Sequence, residues 1–136
     1  MQPPTNIDHL GMAVHSIEEA SGLYRDVLGL QGGPVEEIPS QKVRVAFFQL
    51  GQTRIELLEP TDEDSPIAKF LEKRGPGLHH VAYLVDDLSA TLAALKSAGL
   101  RLIDEQPRPG AHGMQIAFAH PKSTSGVLTE FCQPRE

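Results

Sequence analysis

The sequence is poor in several things, and each shortage removes a class of protein. It has one cysteine, Cys132, so no intrachain disulfide can form, and a reducing compartment, the cytoplasm, is expected. Basic residues are outnumbered: 12 Lys and Arg against 18 Asp and Glu leave a net charge of −6. No basic run with interleaved aromatics offsets this, so neither nucleic acid nor an anionic membrane is an expected partner. No apolar stretch approaches the ~18 residues of a membrane span. Met1 to Asn6 is short and polar with no apolar run behind it, so no secretory leader is expected. Twelve Gly and 11 Pro are too few for a disordered chain. What is present is 40% hydrophobic residues in 136 positions, which suits one domain, 1–136, and is too short for two of ordinary size.

That length is written twice. Ile7-Asp8-His9-Leu10-Gly11-Met12-Ala13-Val14 matches Leu78-His79-His80-Val81-Ala82-Tyr83-Leu84-Val85 at an offset of 71 (9 to 80). Val45-Ala46-Phe47 matches Ile116-Ala117-Phe118 at the same offset, and Glu56 with Pro60 matches Glu130 with Pro134 at 74 (56 to 130), placing a short insertion within Pro121 to Gly126. Each half reads strand, helix, then a run of strands, an α+β pattern with modules at about 5–60 and 77–134. In the first helix Ser16 is the expected cap and Ile17, Ala20, Tyr24, Val27 and Leu28 the buried stripe, stopped by Gly29. In the second, Asp87 is the cap, Leu88, Leu92 and Leu95 the stripe, and Gly99 the stop. Ser65-Pro66 opens a linker helix at about 65–74, with Ile67, Phe70 and Leu71 as its apolar face. Segments 43–50, 53–59, 113–119 and 126–132 read as strands, with weaker ones at 34–38 and 101–105.

Alternation along a strand puts His9 on one face with the small Gly11 and Ala13, and His80 with Ala82, while the bulky neighbours face the helices. An imidazole beside small residues suggests a cavity, and its recurrence at equivalent sites argues against a merely packed histidine. Glu56 and Glu130 each sit among apolar neighbours on an expected central strand, where a carboxylate costs several kcal/mol unless paired or coordinated. His9, Glu56, His80 and Glu130 together make an N2O2 set suited to a divalent ion of intermediate hardness, Co2+, Mn2+, Ni2+ or Zn2+, with Mg2+ and Fe(II) disfavoured. An octahedral ion would keep two positions open for a bidentate substrate. His15 and His79 read as surface or packing residues. His112 and His120 lie on loops that could line the mouth, and Cys132 reads as a small core residue.

These residues resemble the vicinal oxygen chelate superfamily, in which two βαβββ modules form a curved mixed sheet around a metal-binding cleft. Within it the match is to the methylmalonyl-CoA epimerase family, through Ile7-Asp8-His9-Leu10-Gly11, Gly51 to Pro60, Asp64 to Leu71, Gly75-Pro76-Gly77-Leu78-His79-His80-Val81-Ala82, and His120-Pro121-Lys122 running to Glu130. The resemblance implies interconversion of (2R)- and (2S)-methylmalonyl-CoA by proton transfer through a metal-stabilised enolate, with His9, Glu56, His80 and Glu130 as ligands, Glu130 also the base, Co2+ the first-choice ion, and a homodimer. Some relatives carry a second acid/base glutamate where this chain has Val45. Glu36, Glu37, His112, a metal-bound water, or a relay through Gln41 and Glu56 are the substitutes. Lys42, Arg44, Arg108 and Lys122 are the cations expected near the mouth. A glyoxalase I-like lyase and a non-enzymatic small-molecule-binding member of the superfamily are the alternatives.

Overall fold

Three side chains start the three α-helices found among the described residues, 1–135 of the computed structural model. Ser16 Oγ accepts the Glu19 N–H at 3.2 Å ahead of α1 (Ile17–Ser21). Ser65 Oγ accepts that of Ile67 at 3.1 Å ahead of α2 (Pro66–Arg74), and Asp87 Oδ1 that of Ala90 at 3.1 Å ahead of α3 (Leu88–Ser97). Each cap satisfies a donor that the first helical turn leaves over, a contribution of about 1 kcal/mol. Gly75 (φ 73°) and Gly99 (φ 87°) end α2 and α3 in backbone conformations that disfavour a side chain.

The strands are β1 (Asn6–Ala13), β2 (Glu36–Ile38), β3 (Val43–Leu50), β4 (Thr53–Pro60), β5 (Gly77–Leu84), β6 (Arg108–Pro109), β7 (Met114–Ala119) and β8 (Leu128–Pro134). By contacts the chain forms two units, His9–His79, and Met1–Asp8 with the chain from His80 onward. The order in the first is β2-β3-β4-β1, and in the second β6-β7-β8-β5. In each, the first strand pairs in parallel with the last and the others pair antiparallel, so repeat-equivalent strands take equivalent places.

Helices α1 and α3 are each clipped to their own module by a bond at the same point. The Ile17 N–H donates to Glu59 Oε1 at 2.9 Å, and the Leu88 N–H to Gln133 Oε1 at 2.7 Å. Opposite Glu59 across the β3–β4 ladder stands Arg44, paired with it at 2.8 Å, whereas opposite Gln133 stands Gln115. Met12, Val14, Ala46, Phe48 and Leu57 pack under α1 around Ile17. On the other side Ala13, Val43, Val45 and Leu58 pack against Ile67 and Leu71 of α2. In the second unit Val85, Ala117, Ala119 and Phe131 pack under Leu88 and Leu92, with Tyr83 and Leu95 beside them.

Two expectations need correction. The first helix does not continue as an α-helix to Gly29: after Ser21 a π-helical turn covers Gly22–Val27, closed by the Leu28 N–H donating to Leu23 O at 2.9 Å. The extra residue in that turn rotates the residues after it away from the sheet, leaving Val27 75% and Leu28 56% exposed although their spacing marked them as core. The segment 101–105 is not a strand. It contributes an isolated Leu102–Ala119 bridge, and Asp104 Oδ2 accepts the Phe118 N–H at 2.9 Å where a strand would have offered a carbonyl. The short edge strand is β6, further along. Among the described residues no helix is long and apolar enough to cross a membrane.

Replacing Leu88, which is fully buried, with Ala should lower the unfolding free energy by about 2–5 kcal/mol. Val27→Ala should change it by no more than about 0.5 kcal/mol, both read from denaturant titrations.

Candidate functional site

The structure places an imidazole and a carboxylate together in each unit. On β1 and β4 His9 Nδ1 lies 3.5 Å from Glu56 Oε2, and on β5 and β8 His80 Nε2 lies 3.3 Å from Glu130 Oε1. Exposure of 6% for each histidine and 4% for each glutamate puts all four groups out of solvent. The local cause is register. Glu56 stands in parallel register with Gly11 and in antiparallel register with Phe47, and Glu130 stands in the same way between Ala82 and Phe118. A glycine or alanine on one flank leaves room for the carboxylate, and a phenylalanine on the other walls it from water. His9, His80 and Glu130 are buried groups that each offer a ligand atom to a cation.

Arginines complete both surroundings: Arg108 was among the cations expected near the mouth, whereas nothing in the sequence reading singled out Arg54. The Arg54 guanidinium lies over the Phe47 ring at 5.8 Å and reaches Glu56 Oε2 from Nη2 at 3.4 Å. Arg108 lies over Phe118 at 5.4 Å, its Nε held by Asp104 Oδ1 at 3.1 Å, while the Phe118 ring meets His80 edge-on at 5.8 Å. Each glutamate-facing phenylalanine therefore carries a guanidinium, worth about 0.5–2 kcal/mol as a cation–π contact. The cations come from non-equivalent strands, β4 and β6, so the repeat in sequence held no sign of the correspondence. The matching of Phe47 with Phe118 was the available clue.

The remaining candidates separate by face. Val45 is 2% exposed and enclosed by Val43, Leu58 and the α2 residues, so no carboxylate occupies that position. Glu36 stands opposite Val45 on β2 and is exposed, as are Glu37 and His112. Gln41 is half-buried before β3. His112 has a left-handed backbone (φ 57°) beside Gly113 in a 3₁₀ turn. His15 is exposed, and His79 packs edge-on to Phe70 at 5.1 Å, where burial pushes its imidazole down to about 4 and keeps it neutral near pH 7. Cys132 is buried with Ala82, Met114 and Ile116. Of the cations expected near the mouth, Lys42 is paired with Asp64 at 3.0 Å, and Arg44 is on the α1 side of the sheet against Glu59. Arg108 remains on the Glu130 face.

Residues 8–118 match the model of the Glyoxalase/Bleomycin resistance protein/Dioxygenase superfamily. A mouse mitochondrial methylmalonyl-CoA epimerase is 44% identical over 128 residues, covering 93% of this chain and 72% of the relative. An ethylmalonyl-CoA/methylmalonyl-CoA epimerase of Cereibacter sphaeroides is 43% identical over 129 residues, covering 93% and 96%. A solved methylmalonyl-CoA epimerase in complex with methylmalonyl-CoA and NH4+ superposes with a TM-score of 0.92 at 37% identity, covering 97% of this chain and 96% of that one.

The Phe47 wall depends on a close backbone approach. A Cβ on Gly33 would fall 2.5 Å from the Phe47 ring, whereas one on Gly22 would meet nothing within 4 Å. Gly33→Ala should therefore cost about 1–3 kcal/mol of stability through overpacking. Gly22→Ala should cost none, and equal losses in thermal unfolding would show that the contact does not constrain the ring.

Proposed function

Because the chain belongs to the Glyoxalase/Bleomycin resistance protein/Dioxygenase superfamily and, within it, to the methylmalonyl-CoA epimerase family, we propose that it interconverts (2R)- and (2S)-methylmalonyl-CoA by proton transfer at the α-carbon. The observation that carries this reading is the pair of buried, repeat-equivalent His–Glu couples. Two carboxylates kept out of water on central strands are costly for folding alone, and their repetition is explained by a shared task.

That task is to hold a divalent cation. Two imidazoles and two carboxylates, all buried, fit an ion of intermediate hardness, and His9, Glu56, His80 and Glu130 would be its ligands. Such an ion supplies Lewis-acid charge that polarises a carbonyl oxygen. Co2+ is the first ion to reconstitute, and a homodimer is the assembly to look for by sedimentation.

The proton moved in this reaction lies between a thioester and a carboxylate, and its loss leaves an enolate. Glu130 acts as the base, taking the proton on a carboxylate oxygen and returning it. Glu56, whose Oε2 Arg54 engages, would serve as a ligand and not as a base. Phe118 and Phe47 keep water from the two carboxylates, which strengthens each charge interaction at the site. Delivery to the opposite face needs a second donor. With Val45 closed off by α2, Glu36, Glu37, His112, a metal-bound water and a relay through Gln41 and Glu56 are the candidates to test.

Incubation of Co2+-loaded protein with (2S)-methylmalonyl-CoA in deuterated water should give α-deuterium and the (2R) isomer. Exchange no faster than in the metal-free control would sink the epimerase reading. His9→Ala, Glu56→Ala and His80→Ala should each lower bound metal measured by elemental analysis. Glu130→Gln should lower turnover about 10²-fold or more while retaining more metal than those three, and an undiminished rate would remove Glu130 as the base.

A further inference from the structure

The two half-sites differ at one position beside their paired groups. The offset of 74 that relates Glu56 to Glu130 also relates Arg54 to Leu128 (54 to 128), each two residues before its glutamate. Both stand in parallel register with the histidine of their own unit, Arg54 with His9 and Leu128 with His80. Alternation along β4 puts Arg54 on the same face as Glu56. A leucine at this position can only pack, whereas an arginine brings a charge and a fork of donors beside a buried carboxylate. In the second unit the guanidinium over the phenylalanine belongs instead to Arg108, and Asp104 Oδ1 holds it at 3.1 Å.

Arg54 is fixed by its surroundings. Its side chain is 19% exposed, its guanidinium lies over the Phe47 ring at 5.8 Å, and Nη2 donates to Glu56 Oε2 at 3.4 Å. The same oxygen stands 3.5 Å from His9 Nδ1. Phe47 has little room to turn, since a Cβ on Gly33 would already fall 2.5 Å from its ring. A carboxylate with one oxygen engaged by two neighbours loses rotation about its last bond, which sets where the other oxygen stands. Orienting a ligand before the ion arrives is what a neighbouring hydrogen-bond donor contributes to a metal site. A guanidinium near a cation also repels it. The two effects act on metal affinity with opposite sign, so their balance is measurable.

We propose that Arg54 is a positioning residue: braced on Phe47, it orients the Glu56 carboxylate for a divalent cation, and the gain from orientation exceeds the repulsion. It also separates the roles of two glutamates that the repeat makes equivalent. Glu56 is the one that an arginine of its own strand holds in place, and Glu130, with Leu128 at the matching position, is the one that carries the proton. This rests on the reading of His9, Glu56, His80 and Glu130 as metal ligands of an epimerase, and extends it to a residue outside that set.

The test is Co2+ binding, measured by competition with a chromogenic chelator and by the visible absorption of the bound ion. The proteins compared are wild type, Arg54→Met, Arg54→Lys, Glu56→Ala and the Arg54→Met/Glu56→Ala double variant, with thermal melts of the metal-free forms to establish that each folds. Arg54→Met, which keeps the bulk and removes the donors, should bind Co2+ about tenfold or more weakly than wild type, with an altered absorption band. Arg54→Lys, which keeps the charge without the planar fork, should fall between the two, and it carries the same test should Arg54→Met not fold. In the Glu56→Ala background Arg54→Met should change the affinity by no more than about twofold, because the arginine acts through that carboxylate. Unchanged affinity and absorption in folded Arg54→Met, tighter binding by that variant, wild-type behaviour of Arg54→Lys, or a full loss that persists without Glu56 would each overturn the proposal. Weaker Co2+ binding by Arg54→Met with no epimerisation by wild type would defeat the epimerase reading alone. Epimerisation by wild type with a Co2+ affinity that Arg54→Met leaves unchanged would defeat this inference alone.

Discussion

The constraint on which the rest depends is the placement of Glu56 and Glu130 on strands flanked on both sides, at 4% exposure. A carboxylate taken from water loses solvation worth several kcal/mol, and only nearby positive or polar groups can offset that loss. An imidazole from the adjoining parallel strand sits within 3.5 Å of each. A small residue on that strand makes the space, and a phenylalanine on the antiparallel side closes it. Sheet order, helix position and register all follow one plan in the two units because each must deliver the same pair of groups to the same face.

Away from that pair the two modules have diverged according to what each position must do. The bond from strand to helix N-terminus survives as Glu59 in one and Gln133 in the other, because a carboxylate and an amide oxygen serve equally as acceptors. The charge of Glu59 is matched by Arg44, while neutral Gln133 faces Gln115. The first helix passes into a π-helical turn that leaves Val27 and Leu28 exposed, and α3 is regular. The hairpin between β3 and β4 is minimal, while its counterpart between β7 and β8 is a longer ordered turn.

Much of this was legible in the residues. Ser16, Ser65 and Asp87 are caps because a short polar side chain before an apolar stripe can reach back to the first free N–H groups, which is a local matter. The two histidines and two glutamates stood out because the repeat printed them twice. The π-helical turn was not legible, since one inserted residue shifts helical phase without changing the spacing of apolar residues that precede it. The stretch at 101–105 looked like a strand, yet its ladder position is served by the Asp104 side chain. Arg54 escaped notice, and Arg108 was expected only as a cation near the mouth, because their common position over Phe47 and Phe118 is reached from strands that do not correspond.

The sequence by itself determined the repeated plan, the helix starts set by caps, the glycine stops of α2 and α3, and the identity of the four acidic and imidazole groups. These follow from short-range rules and from comparing one half of the chain with the other. Only the tertiary structure decided which cations answer which charges: Arg54 on Glu56, Arg44 on Glu59 and Arg108 on Asp104. The physical reason is that an ion pair depends on distance in space, and a flexible arginine or lysine side chain can satisfy it from any strand or loop that the fold brings within reach.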